Sequence, residues 1–201
     1  MSPGDCIGTD GINFVRSGAD YTGIELSTES LNLAKKRFEV YELQARLLEG
    51  NAESIDQILE GETFDLIIAN PPFVIGGVTN LVHRESPLPA DDLTRQLLEF
   101  IPQHLTTNGT AVLLCSWLET SDFDWQTRIG QWFPDVCDAW VGLRDSLIPS
   151  EYVDFWLRDA GRESDYIARS EWLERLVGWS TNAVCFGWVV MQRTDHEPVH
   201  E

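Results

Sequence analysis

The chain has 201 residues, 43% of them hydrophobic, and a formal net charge of −19. That length holds one domain with a sizeable core; the scattered Cys6, Cys115, Cys137 and Cys185 offer neither a disulfide framework nor metal-ligand spacing, and no run is apolar for long enough to cross a bilayer. A surface this acidic, with no cationic run longer than Lys35-Lys36-Arg37, opposes a phosphate backbone as partner. No secretory leader is read at the start, and the reduced-cysteine pattern points to the cytoplasm.

In chain order, residues 20–25 read as a strand. Ser27 is a helix N-cap, and Leu31, Ala34, Phe38 and Tyr41 recur at helical spacing over residues 28–41. Residues 45–48 form a second short strand, followed by a turn at Gly50-Asn51 and a short helix over 53–60. Residues 64–69 are an apolar run of the kind found in buried parallel strands. A loop over 74–90 is punctuated by Gly76-Gly77, Pro87 and Pro89. An amphipathic helix over 91–104 ends near Asn108-Gly109, and 110–117 is an apolar strand. Strands alternating with helices imply a parallel sheet. Then come a helix at 124–133, a strand at 137–143, helices at 151–159 and 164–177, and a very apolar last strand at 183–192. Residues 1–193 are expected to form one domain, and the polar tail 194–201 to fray.

The motif that carries chemistry is Asn70-Pro71-Pro72-Phe73, at the carboxyl end of the 64–69 strand, where open α/β sheets bind their ligands. Two prolines stiffen the backbone and remove two N–H donors. What remains is an amide side chain, bare carbonyls and an aromatic ring: an acceptor-rich, flat pocket for a planar NH2 group. The plain alternative is a rigid Pro-Pro turn closing a core strand. Glu25 ends an earlier strand, where a carboxylate can accept both hydroxyls of a ribose. Alone it equally reads as a solvated charge, as Asn51 alone reads as a turn residue. His83 and Arg84 are the cations of the 74–90 loop, suited to an acidic ligand group or simply to solvent. Trp117 ends a strand beside the expected pocket, as a stacking platform or as core. His196 and His200 in the tail show no ligand geometry, and no metal site is read anywhere.

Asn70-Pro71-Pro72-Phe73 resembles the (N/D/S)PP(Y/F/W) motif of class I S-adenosylmethionine-dependent N-methyltransferases. Gly8-Thr9-Asp10-Gly11 with residues 12–19 resembles the end of that family's glycine turn and the helix after it. Residues 18–27 are a further match. From Phe64 onward the chain resembles a group of actinobacterial methyltransferases, through residues 70–74, 83–88, 151–161 and 186–190. The resemblance implies a Rossmann-like α/β sheet, largely parallel with an antiparallel C-terminal edge. It implies S-adenosyl-L-methionine as cofactor, with Gly8 and Asp10 beside its methionine part, Glu25 on the ribose, Leu26 on the adenine and Asn51-Ala52 at the adenine amino group. Asn70, Pro71, Pro72 and Phe73 would carry the methyl transfer, Asn70 bordering the cofactor as well.

Only seven residues precede Gly8, so the family's first, central strand is expected to be missing and the sheet to be defective there. The implied reaction is methyl transfer to an amino or amide nitrogen, of a protein glutamine or a small molecule. Nucleic acid is the less favoured acceptor because of the charge, with guanine N2 of ribosomal RNA as its main form. A different class, favoured by the missing strand, is a catalytically inactive interaction module of the same fold. Nothing in the sequence fixes the oligomeric state.

Overall fold

The computed structural model describes residues 9–77 and 84–200 in full, together with the backbone of residues 2–3. The strands are β1 (Ser2–Pro3), β2 (Thr22–Glu25), β3 (Arg46–Glu49), β4 (Phe64–Ala69), β5 (Leu105–Thr120), β6 (Cys137–Leu147) and β7 (Thr181–Arg193). The helices are α1 (Thr9–Arg16), α2 (Thr28–Val40), α3 (Ile55–Ile58), α4 (Asp92–Phe100), α5 (Trp125–Gly130), α6 (Pro149–Asp159) and α7 (Tyr166–Gly178).

The strands form two sheets, ordered β1-β2-β3 and β4-β5-β7-β6. All pairs are parallel except β5–β7 and β6–β7, so the antiparallel edge lies where expected. The first strand is not missing, as expected, but reduced to a stub: Ser2 stands opposite Gly23 and Pro3 opposite Ile24. β1 lies beside β4, yet among the described residues no ladder joins them. The sheet is therefore interrupted at its centre. Two residues, one of them a proline without an N–H, cannot bridge two neighbours.

Local chemistry explains most element ends. Ser27 Oγ accepts from Ser30 N at 3.2 Å and starts α2, which buries Leu31, Ala34 and Phe38. The helix expected over 53–60 is split into a 3-10 turn at Ala52–Ser54 and the single turn of α3. The one expected over 91–104 gives way to a 3-10 turn at Ile101–His104, where Pro102 occupies a first-turn position that needs no N–H. Strand β5 begins earlier than expected. Asn108, at φ 66°, and Gly109 form a bulge within it, across the register shift between Phe64 and Leu66. A Cβ on Gly109 would lie 2.8–2.9 Å from the carbonyl oxygens of Thr106 and Phe64, so the bulge demands glycine.

The main core lies on one face, where α3, α4 and α5 cover Ile67, Leu113, Trp117 and Met191. On the opposite face, α1 and α2 enclose Ile12, Tyr21 and Phe38, while α6 and α7 enclose Leu118, Val153, Trp172 and Val184. Cys115, Cys137 and Cys185 are buried free thiols; burial pushes Cys137 and Cys185 up to about 11, and Cys115 upward still further, so none is a nucleophile at neutral pH. Cys6 lies outside the described residues.

The tail is docked, against the expectation of fraying. Ala139 N donates to Val199 O at 2.8 Å, Val199 N to Asp138 Oδ1 at 2.8 Å, and the His200 ring lies tilted against Phe133 with centroids 5.2 Å apart. The unpaired edge of β6 offers the tail a partner.

Asp91, which precedes α4, does not cap it. Its buried carboxylate accepts from Leu118 N (2.9 Å) and from Arg128 Nε and NH2 (2.7 and 2.6 Å), clamping α4, β5 and α5 together. We expect Asp91→Ala to destabilise the chain by about 2–3 kcal/mol, since it strands a guanidinium and a buried N–H, with rehydration of the partly exposed Arg128 limiting the loss. Urea unfolding checks this; an unchanged midpoint would remove the clamp from the account.

Candidate active site

Glu25 is the last residue of β2, in the first sheet, and Asn70 directly follows the last residue of β4, in the second. β4 ends at Ala69 because Pro71 and Pro72 cannot donate to a ladder. Asn70 is exposed, and its side chain makes no hydrogen bond among the described residues. Pro71 is buried; Pro72 and Phe73 are half-buried. The Phe73 ring is propped by Phe186 on β7, with centroids 4.9 Å apart, and edge-on by Trp156 on α6 at 6.2 Å.

The chain beyond Phe73 is tied to the α6–α7 insertion. Val74 pairs with the backbone around Glu85, donating to Arg84 O and accepting from Ser86 N, both at 2.8 Å. Ile75 N donates to the buried Tyr152 hydroxyl at 2.7 Å, and Trp172 Nε1 donates to Ile75 O at 2.9 Å. Arg84 is neither solvated nor free for a ligand. It pairs with Asp159, donates to Trp156 O at 3.2 Å, and lies 5.0 Å over the Trp156 ring. His83 lies outside the described residues. Sequence reasoning had no signal for Trp156 and Phe186 as supports of Phe73, or for Tyr152 as the partner of Ile75, because each contact spans more than 75 residues. Trp117 is wholly buried beside Trp125 and belongs to the core.

On the cofactor side the residues present fit a ribose. Glu25 Oε1 accepts from Ser27 N at 2.9 Å, while Oε2 is buried with no hydrogen-bond partner among the described residues. A buried carboxylate oxygen without a donor is costly, and the hydroxyls of a diol supply what it lacks. Leu26, the next residue, is half-exposed and offers a flat apolar contact. Asn51 is engaged differently from expectation. Its Oδ1 accepts from Ser54 N at 2.9 Å and from Ser54 Oγ, capping the 3-10 turn. The remaining Nδ2 is a donor, suited to a ring nitrogen rather than to an amino group. Ala52 begins that turn, half-buried against the core. Thr9, Asp10 and Gly11 form the first turn of α1, not the end of a loop. Asp10 there is exposed, while a Cβ on Gly11 would meet the Tyr21 ring at 2.5 Å, so Gly11 serves close packing of α1 on β2. Gly8 lies outside the described residues. Among the described residues no three His, Cys, Asp or Glu side chains converge as metal ligands, and no helix is long and apolar enough to cross a membrane.

Residues 3–73 match the family described as a methyltransferase domain. Among curated proteins, the ribosomal protein uL3 glutamine methyltransferase of Xanthomonas campestris pv. campestris is 28% identical over 139 residues, 62% of this chain and 41% of that protein. The protein of the same name from Francisella tularensis subsp. tularensis is 25% identical over 150 residues, 70% and 45% of the two chains. The chain thus spans less than half the length of these relatives. Among solved structures, an rRNA methylase from Streptococcus thermophilus superposes with a TM-score of 0.52 at 11% identity, over 96% of this chain and 87% of that one, a likeness of fold alone. The methyl donor of this class is S-adenosylmethionine. The family match over residues 3–73 and the relatives make the chain similar to the class I S-adenosylmethionine-dependent methyltransferases.

Proposed function

We propose that the chain methylates an amino or amide nitrogen, with the side-chain amide of a protein glutamine as the favoured acceptor. The observation that carries this reading is the exposed Asn70 amide at the end of β4, followed by Phe73 held between Phe186 and Trp156. When bound, the cofactor supplies an electrophilic methyl carbon on a sulfonium. Asn70 Oδ1 and the Pro71 carbonyl accept the two N–H groups of the acceptor, and Phe73 keeps its plane aligned. The work is orientation of a nitrogen lone pair, for which fixed groups suffice. Glu25, Leu26 and Asn51-Ala52 hold the nucleoside end, with Gly8 and Asp10 assigned to the methionine end. A glutamine acceptor agrees with the curated relatives' names, and the charge of −19 attracts a basic polypeptide while repelling RNA. Such an acceptor places the work in the cytoplasm.

The stub β1 favours a second reading, an interaction module of this fold that has lost cofactor binding. One pair of measurements decides. Calorimetry with S-adenosylmethionine is expected to give micromolar binding, and radiolabelled cofactor offered with glutamine peptides, small amines and structured RNA is expected to label a peptide amide. No binding at millimolar cofactor would establish the module instead. Label confined to RNA would overturn the acceptor.

A further inference from the structure

Phe73 is fixed by a closed ring of contacts that runs through Arg84. Along the backbone, the next residue, Val74, donates its N–H to Arg84 O at 2.8 Å. Through side chains, the Arg84 guanidinium lies 5.0 Å over the Trp156 ring, and Trp156 meets Phe73 edge-on, with planes 61° apart and centroids 6.2 Å apart. The guanidinium is held on α6 by its ion pair with Asp159 and by NH2 donating to Trp156 O at 3.2 Å. The backbone beside Phe73 and the ring of Phe73 are thus both referred to one cation.

That cation is costly. The Arg84 side chain is only 11% exposed, and its Nε is buried with no partner among the described residues. Asp159 is 56% exposed, so water screens the pair. An unbranched apolar residue of similar length would cover Trp156 without drying a charge. What arginine adds is direction: its planar fork, held at Asp159 and at Trp156 O, sets the angle of the plane it stacks on. We infer that Arg84 is a positioning residue for methyl transfer, acting through Trp156 to set the plane of Phe73 and with it the fit of a planar amide acceptor. This inference rests on the nitrogen-methylation reading of the Asn-Pro-Pro-Phe site. It gives Arg84 no contact with acceptor or cofactor.

The test is Arg84→Met in the full chain, which keeps cover over the indole and removes the fork. KM for a glutamine peptide is expected to rise about tenfold, while kcat and the Kd of S-adenosylmethionine stay within about twofold. The melting temperature is expected to hold, because the variant releases only a carboxylate that already meets water. A residue that merely held the fold together would do the reverse, lowering the melt and leaving KM alone. Combined with Phe73→Leu, the substitution is expected to raise KM no further, since its effect runs through that ring. Fluorine NMR of the chain carrying 4-fluorophenylalanine at position 73 reads the ring without any acceptor: one narrow line in the parent, a broadened or divided one in Arg84→Met. Asp159→Asn, on the exposed side of the pair, is the milder variant that serves if Arg84→Met does not fold, with KM up about threefold. A KM within about twofold of the parent in both variants, an additive effect in the double variant, or an unchanged fluorine line overturns the inference. If the parent labels no peptide, amine or RNA, the methylation reading fails by itself, and the fluorine line alone decides whether Arg84 sets the ring.

Discussion

Asn70→Ala is expected to lose about 10²–10³ in turnover, the usual cost of removing one preorganised polar group that acts in the transition state. Cofactor affinity should stay within about twofold, because the nucleoside contacts of the proposed site lie on β2 and after β3, not on β4. The substitution is unusually clean. The Asn70 side chain is exposed and makes no hydrogen bond among the described residues, so nothing in the fold depends on it. Thermal stability should therefore be unchanged, and a loss of rate can be assigned to chemistry. The measurements are single-turnover rates on whichever acceptor takes label, calorimetry with cofactor, and a melting curve. A variant that methylates its acceptor at the parent rate would show that Asn-Pro-Pro-Phe only closes a strand. Phe73→Leu is the companion: it keeps the acceptors and removes the ring, so it should raise KM for a planar acceptor more than it lowers kcat.

What could be read in the sequence was what short-range chemistry decides. The apolar run of β4 and the prolines after it fix that strand's bounds, and Ser27 fixes the start of α2 through its own hydroxyl. The antiparallel edge was expected from the resemblance, which the two closing strands and the helical insertion between them fit. What could not be read rests on distant pairing. Asn108-Gly109 carries a turn signal, and only the facing Phe64–Leu66 segment turns it into a bulge inside a longer strand. Arg84 looks like a solvated loop cation until Asp159 and Trp156 are placed beside it. The tail looks frayed until the open edge of β6 is seen. At the site, Asn70 and Glu25 stand where strand-end reasoning puts them, whereas Asn51 shows the limit of that reasoning: the same amide oxygen that suits an adenine is claimed by the nearest helix start.

Glu25→Ala is expected to weaken cofactor binding by about 2–4 kcal/mol, the worth of two charge-assisted hydrogen bonds to a diol. That is roughly a 30-fold to 1,000-fold rise in Kd. The argument rests on the two oxygens having different duties. Oε1 holds Ser27 N at 2.9 Å at the entrance to α2, and Oε2 is buried without a donor among the described residues. A desolvated, unpartnered carboxylate oxygen costs stability in the free chain, and a ligand hydroxyl removes that cost on binding. The variant must therefore be read against its effect on folding. Ser27 Oγ still caps Ser30 N, so α2 keeps its start and the stability change should be small or even favourable. Glu25→Gln separates the contributions: its one oxygen can still accept from Ser27 N, while the second oxygen becomes an NH2 donor and the charge is lost, so its affinity should fall between parent and alanine. Calorimetry on the three proteins at one pH decides. A Kd within about twofold of the parent for Glu25→Ala would take the ribose away from Glu25 and leave its buried oxygen without a function.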